Sequence, residues 1–126
     1  MKFKIYYHHT DCGGVVYYAK YLEFLEEART EYMAEHGAAL KDLGAEGIFF
    51  VVGRQEIDYK FPAHYADILT VDTKIGDISR ASIEFLNEIK NQDQKLIVQA
   101  RTLLVCVDKR FKAKSIPGTL RSLLKK

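Results

Sequence analysis

The chain has no tryptophan, two prolines and two cysteines among its 126 residues. Its apolar runs, such as Ile48 to Val52 and Leu103 to Val107, are strand-length, so none reads as a membrane-spanning helix. Neither sign of charge dominates. Lys and Arg number 19 against 17 Asp and Glu, and the net charge of +2 is too small to argue for general nucleic-acid binding. Cys12 and Cys106 lack CxxC spacing, which leaves them as reduced thiols in a cytoplasmic protein. No signal-peptide apolar stretch follows Met1, and a cytoplasmic location is the expectation. No repeat, linker or low-complexity tract divides the chain. Residues 1–126 therefore read as a single domain, long enough to bury a core.

What is present is ordinary soluble-protein composition, 48% hydrophobic and 29% charged, arranged in clear periodicities. Residues 2–8 alternate, with Phe3, Ile5 and Tyr7 on one face, and predict a strand. From Tyr17 to His36 the period becomes helical. Tyr18, Tyr21, Leu22, Leu25, Arg29, Tyr32, Met33 and His36 share one face, and Gly37 is placed to end the helix. Ala38 to Leu43 predicts a further turn or two of helix. Strand patterns follow at Ile48 to Val52, Ile57 to Phe61, Leu69 to Ile75, Ser82 to Ile89 and Leu96 to Val107. Asn91-Gln92-Asp93-Gln94 predicts a hairpin turn, and Leu120, Leu123 and Leu124 a short terminal helix after Pro117-Gly118. One helix cannot cover both faces of such a sheet. The economical packing curves the sheet around the helix and leaves the second face, with stranded aromatics, for a partner subunit.

The segment His9-Thr10-Asp11-Cys12-Gly13-Gly14-Val15-Val16-Tyr17-Tyr18 carries the chemistry. It sets a carboxylate before a Gly-Gly step and just ahead of the helix. The first N–H groups of a helix lack intrahelical acceptors and carry partial positive charge. They can polarise a carbonyl oxygen while Asp11, or a water it activates, attacks the carbon. On residues alone, an Asp before Gly-Gly is more often a turn or N-cap residue. Gly13 and Gly14 permit a turn with positive φ, and a small residue also lets an acyl group approach the backbone. Cys12 beside two histidines invites a Cys–His nucleophile, but a small buried thiol fits an extended segment better. His8, His9, Asp11 and Cys12 make a weak metal cluster, because no second group of ligands is evident.

These motifs resemble the hotdog-fold acyl-CoA thioesterases. They are Thr10-Asp11, then Gly14-Val15-Val16-Tyr17, Tyr21-Leu22 and Glu27-Ala28-Arg29, supported by Tyr59, Ala63, Asp67, Leu69, Val105 to Asp108, Lys114, Ile116 and Pro117. The resemblance is to the 4-hydroxybenzoyl-CoA thioesterase group and, within it, to the bacterial thioesterases associated with the Tol–Pal envelope system. It implies an α+β fold of about five antiparallel strands curved around one long central helix, assembled as a homodimer or homotetramer. It implies hydrolysis of an acyl-CoA, short-chain or aromatic or longer, to free acid and coenzyme A without metal or cofactor. Asp11 corresponds to the catalytic acid and the Tyr18 backbone N–H to the oxyanion donor. Gly14 and Val16 are the expected acyl contacts, and Arg80, Ser82, Lys112 and Lys114 the expected CoA contacts.

Two departures stand out. The resembled group usually has an acid at the place of His9 and a His at the place of Tyr18. Tyr18 can contribute its N–H regardless of side chain. A thioester is a good electrophile with a good leaving group, so one carboxylate and one polarising dipole suffice. A non-catalytic protein that binds acyl-CoA or acyl carrier protein on the same fold is the alternative. An enoyl-CoA hydratase would need an Asp/His pair in another motif.

Overall fold

The long helix follows from its composition. Lys20–Glu35 (α1) contains no Gly or Pro and is rich in Glu, Ala and Leu. It ends where Gly37 takes φ +80°. The Gly37 N–H then bonds the Ala34 carbonyl and the Ala38 N–H bonds the Met33 carbonyl at 2.8 Å, a Schellman closure. The helix starts at Lys20, three residues later than its periodicity predicts. Residues 17–19 form a turn in which the Lys20 N–H reaches the Tyr17 carbonyl.

The computed structural model describes residues 1–125. Around α1 lie β1 (Lys2–Lys4), a short helix α2 (Leu40–Ala45), β2 (Phe49–Tyr59), β3 (Ile68–Ile78), β4 (Ser82–Lys90), β5 (Leu96–Val107) and a terminal helix α3 (Gly118–Leu124). The five strands form one antiparallel sheet in the order β1-β3-β4-β5-β2. This is the α+β hotdog arrangement that the resemblance implies. β2 is an edge strand, bent by an irregularity at Gly53.

The inner face of the sheet follows the alternation of β5. Val98, Ala100, Thr102, Leu104 and Cys106 are all buried. Ile5, Leu25, Leu69, Val71 and Ile89 pack with Tyr21, Phe24 and Ala28 at one end of α1. Met33, Ile83, Phe85, Leu104 and Cys106 pack with α3 at the other. Each fully buried Val, Leu, Ile, Phe or Met among them contributes about 1.5–3 kcal/mol.

Three expectations are corrected. The N-terminal strand is shorter than residues 2–8. After β1, Tyr7–His9 form a 3-10 turn, Ile5 is fully buried and Tyr7 projects into solvent. The helix stripe includes Phe24 and Ala28 and omits the exposed Tyr18 and Leu22, because the sheet meets the helix from the Phe24 side. The outer face is not aromatic. It carries Asp72, Lys74, Glu88, Gln99, Arg101, Glu56 and Asp58 around Leu86, with an Arg101–Glu84 ion pair at 3.3 Å. The exposed apolar groups of β2 lie at the edge of the sheet, with Phe49 and Val51 on the outer side and Val52 and Tyr59 on the inner side. Asn91 caps the β4–β5 hairpin as predicted, accepting the Asp93 and Lys95 N–H groups on its Oδ1.

Candidate active site

Residues 10–16 make a small hairpin. Thr10 pairs with Val16, the Asp11 N–H bonds the Val15 carbonyl, and the Gly14 N–H returns to the Asp11 carbonyl at 3.1 Å. Asp suits the first position of such a turn and Gly the last, where φ is +82° at Gly14. The Asp11 carboxylate accepts the Gly13 N–H on Oδ1 at 2.8 Å. Its turn role is therefore real. Among the described residues no hydrogen bond reaches Oδ2, and the side chain is exposed on the wall of a cleft. Cys12 projects from the tip of this turn and is exposed, contrary to the buried thiol expected. Cys106 is the buried one.

The cleft holds about 330 Å³. Its walls are Asp11, Val15, Val16, Tyr18, Tyr21 and the end of β2 with its continuation, Tyr59 to Pro62. Tyr17 is tied to the His9 carbonyl through its N–H at 2.9 Å, and its own carbonyl accepts the Lys20 N–H. A trans peptide points its N–H opposite to its carbonyl. The Tyr18 N–H is thus turned away from the helix, and it has no hydrogen-bond acceptor among the described residues. It sits two residues before α1, where the helix dipole is positive. The Tyr59 hydroxyl donates to the Tyr18 carbonyl at 3.3 Å, and its ring packs edge-on against Tyr18. Burial pushes the Tyr59 phenol up from its usual range, with the Tyr18 phenol adding to the shift. Burial pushes Tyr21 up to about 12. Both phenols stay protonated at neutral pH and can donate.

The site residues read from sequence divide into two groups. Asp11, Tyr18 and Val16 line the cleft. Val16 is otherwise a core residue, with its N–H bonded to the Ala63 carbonyl at 2.8 Å. Gly14 shapes the turn and does not line the cleft. Arg80, Ser82, Lys112 and Lys114 gather at the other end of the sheet. Arg80 Nη1 bonds Ser115 Oγ at 2.7 Å, its carbonyl accepts the Ile116 N–H, and the Ser82 hydroxyl pairs with that of Ser79. The Lys112 N–H bonds Asp108 Oδ1 at 3.1 Å, and the Lys114 N–H bonds the Cys106 carbonyl at 2.9 Å. Ser82 pairs with Val105, whereas Tyr59 pairs with Val98. Seven residues of strand separate these rungs, roughly 23 Å. One protomer does not bring the two groups together. Tyr21, Tyr59, Lys60, Phe61 and Pro62 as cleft walls were not identified from sequence. The Ile57-Tyr59-Phe61 alternation marked them as strand residues but not what they face. Among the described residues no three His, Cys, Asp or Glu side chains converge as a metal site. No helix there is long and apolar enough to cross a membrane.

A family profile described as the Thioesterase-like superfamily matches residues 7–124. The chain belongs to this superfamily. It is similar to the acyl-CoA thioester hydrolase YbgC of Escherichia coli O6:H1, at 37% identity over 93% of this chain and 88% of that one. It is also similar to the crystal structure of a probable thioesterase from Bartonella henselae, with TM-score 0.87, 31% identity, and 93% of this chain and 97% of that one covered. The structure of a DHNA-CoA thioesterase from Staphylococcus aureus gives TM-score 0.87 and 28% identity over 91% of this chain and 78% of that one. Superfamily and relatives together place the protein among the thioester hydrolases.

Proposed function

We propose that this member of the thioesterase-like superfamily hydrolyses acyl-CoA thioesters to free acid and coenzyme A at the Asp11 cleft. The observation that carries the reading is one cleft with Asp11 on its wall and, at Tyr18 beside it, an N–H turned away from the helix and without an acceptor among the described residues. The thioester carbonyl oxygen accepts the Tyr18 N–H, which stabilises the charge that develops as the carbon is attacked. In one route Asp11 takes a proton from water as the water oxygen bonds to the carbonyl carbon, and collapse expels the thiolate. In the other an Asp11 oxygen bonds to that carbon and the thiolate leaves. Water then hydrolyses the mixed anhydride and regenerates the carboxylate. Tyr18, Tyr21, Tyr59 and Phe61 make the cleft aromatic, which favours aromatic or short acyl groups.

The basic group at the far end supports a homodimer. β2 is an edge strand with exposed Phe49, Val51 and Val52. A second copy paired antiparallel along β2 would set its Phe49 end against the Tyr59 end of the first. Its Arg80, Ser82, Lys112 and Lys114 would then lie on the side of the Asp11 cleft, where CoA phosphates need cations. A homotetramer would pair two such dimers. We place this activity in the cytoplasm.

The test is thiol release from a panel of short, long and aromatic acyl-CoAs by the wild type and Asp11→Asn. The variant keeps a turn acceptor for Gly13, so fold and oligomeric state are retained while turnover falls at least about a hundredfold. Unchanged turnover overturns the role of Asp11. Wild-type binding of acyl-CoA or acyl carrier protein without turnover establishes the non-catalytic alternative.

A further inference from the structure

His9 lies between the two halves of the candidate machinery. Its backbone carbonyl accepts the Tyr17 N–H at 2.9 Å, one residue before the proposed oxyanion donor. Two residues further along the chain is Asp11. Its side chain closes the 3-10 turn that delivers both. The Tyr6 N–H donates to His9 Nδ1 at 2.9 Å, while the His9 N–H donates to the Tyr6 carbonyl at 3.0 Å. The second is the ordinary backbone bond of the 3-10 turn; the first is the half of a capping box that the N3 side chain supplies, with imidazole where a carboxylate or amide usually stands. Thr10 fastens the same turn, its Oγ1 donating to the Tyr7 carbonyl at 2.7 Å. The His9 ring meets Phe24 edge-on, with centroids 5.2 Å apart, and so anchors the turn to α1.

We propose that His9 is a positioning residue for thioester hydrolysis: its neutral imidazole, accepting the Tyr6 N–H, holds the turn that aims Asp11 and the Tyr18 N–H into one cleft. The proposal rests on the function proposed above. An imidazole with Nδ1 as acceptor carries its proton on Nε2. Protonation places a second N–H against the Tyr6 N–H and removes the bond. An acid at this place, as in the resembled group, would accept the same bond without titrating near neutrality. His9 therefore adds a pH sensitivity that comes from this chain's own sequence.

The groups facing His9 are consistent with that role. From its own turn come Tyr6 and His8, whose ring centroid is 3.9 Å away. From α1 come Phe24, Lys20 and Glu23. Lys20 is paired with Glu23 at 3.2 Å, and Lys4 lies over the Tyr6 ring. Burial, then His8 and Lys20, disfavour the imidazolium, and Glu23 opposes them more weakly.

The experiment is the pH profile of kcat/KM for wild type, His9→Asn, His9→Leu and the control His8→Asn. As pH falls through the His9 pKa, the activity of wild type and His8→Asn drops from its neutral-pH plateau toward a lower level set by loss of the Tyr6 bond. Asn keeps an acceptor near the Nδ1 position and does not titrate, so His9→Asn loses this acid limb. His9→Leu lacks the acceptor, and its plateau falls well below that of His9→Asn. A wild-type acid limb retained in His9→Asn, a limb lost in His8→Asn, or equal plateaus in Asn and Leu variants each overturns the proposal. Nitrogen-15 NMR of the His9 ring reads the same bond without turnover. An acceptor-type Nδ1 at pH 8 supports the geometry even if no thioester is hydrolysed, and a protonated Nδ1 at that pH overturns it.

Discussion

Asp11 combines a structural and a chemical duty in one carboxylate. One oxygen holds the turn through the Gly13 N–H, and the side chain lies on the cleft wall. The two duties separate by substitution. Asp11→Ala loses the turn bond as well as the acid and is expected to be about 1 kcal/mol less stable than Asp11→Asn, read from urea unfolding. Equal stability of the two variants would show that the turn does not depend on this bond. His9 gives a pH dependence of stability with a definite sign. Its folded value lies below the ordinary 6.5, so between the two values the unfolded chain holds more protons. Stability is then full above pH 6.5 and declines as pH falls toward the folded value. Thermal melting across pH 5 to 8 should show this loss in wild type and not in His9→Asn.

At the scale of elements, the cleft depends on where β2 ends relative to the turn before α1. Tyr59 closes β2 and reaches across to the Tyr18 carbonyl. Tyr59→Phe keeps the ring packing against Tyr18 and Tyr21 and removes only the hydroxyl. A neutral hydrogen bond is worth about 0.5–1.5 kcal/mol net, so kcat is expected to fall about two- to tenfold with KM little changed. A rise in KM alone would assign Tyr59 to substrate binding instead. The helix start illustrates how a local pattern overshoots. Tyr17 and Tyr18 continue the apolar periodicity of α1. Their N–H groups are nevertheless committed differently: that of Tyr17 bonds the His9 carbonyl, and that of Tyr18 has no acceptor among the described residues.

For the whole molecule, the prediction concerns the β2 edge. Val51 and Val52 are exposed on that strand, whereas the outer face of the sheet carries charges of both signs. A partner is therefore expected along the edge rather than on the outer face. Wild type should run as a dimer or larger in light scattering. The double variant Val51→Glu with Val52→Lys should shift toward monomer, keep its circular dichroism, and lose hydrolysis by tenfold or more as the basic group is withdrawn. A monomeric variant with full activity would show that one protomer suffices.

The sequence by itself determined the order of elements, the two faces of β5, the Gly37 stop and the turn that carries Asp11, because each is written in neighbouring residues as a period of two or 3.6 or as a turn preference. It also carried the family motif. Only the tertiary structure decided that Tyr59 meets Tyr18 across 41 positions of chain and that Phe61 lines the same cleft, and that Arg80 and Lys112 stand at the opposite end of the sheet. It likewise decided that Cys12 is exposed and that the outer face is charged rather than aromatic. These depend on strand order and on long-range burial. A residue's partner across the sheet is set by how the whole chain closes on α1, and no local window of sequence contains that information.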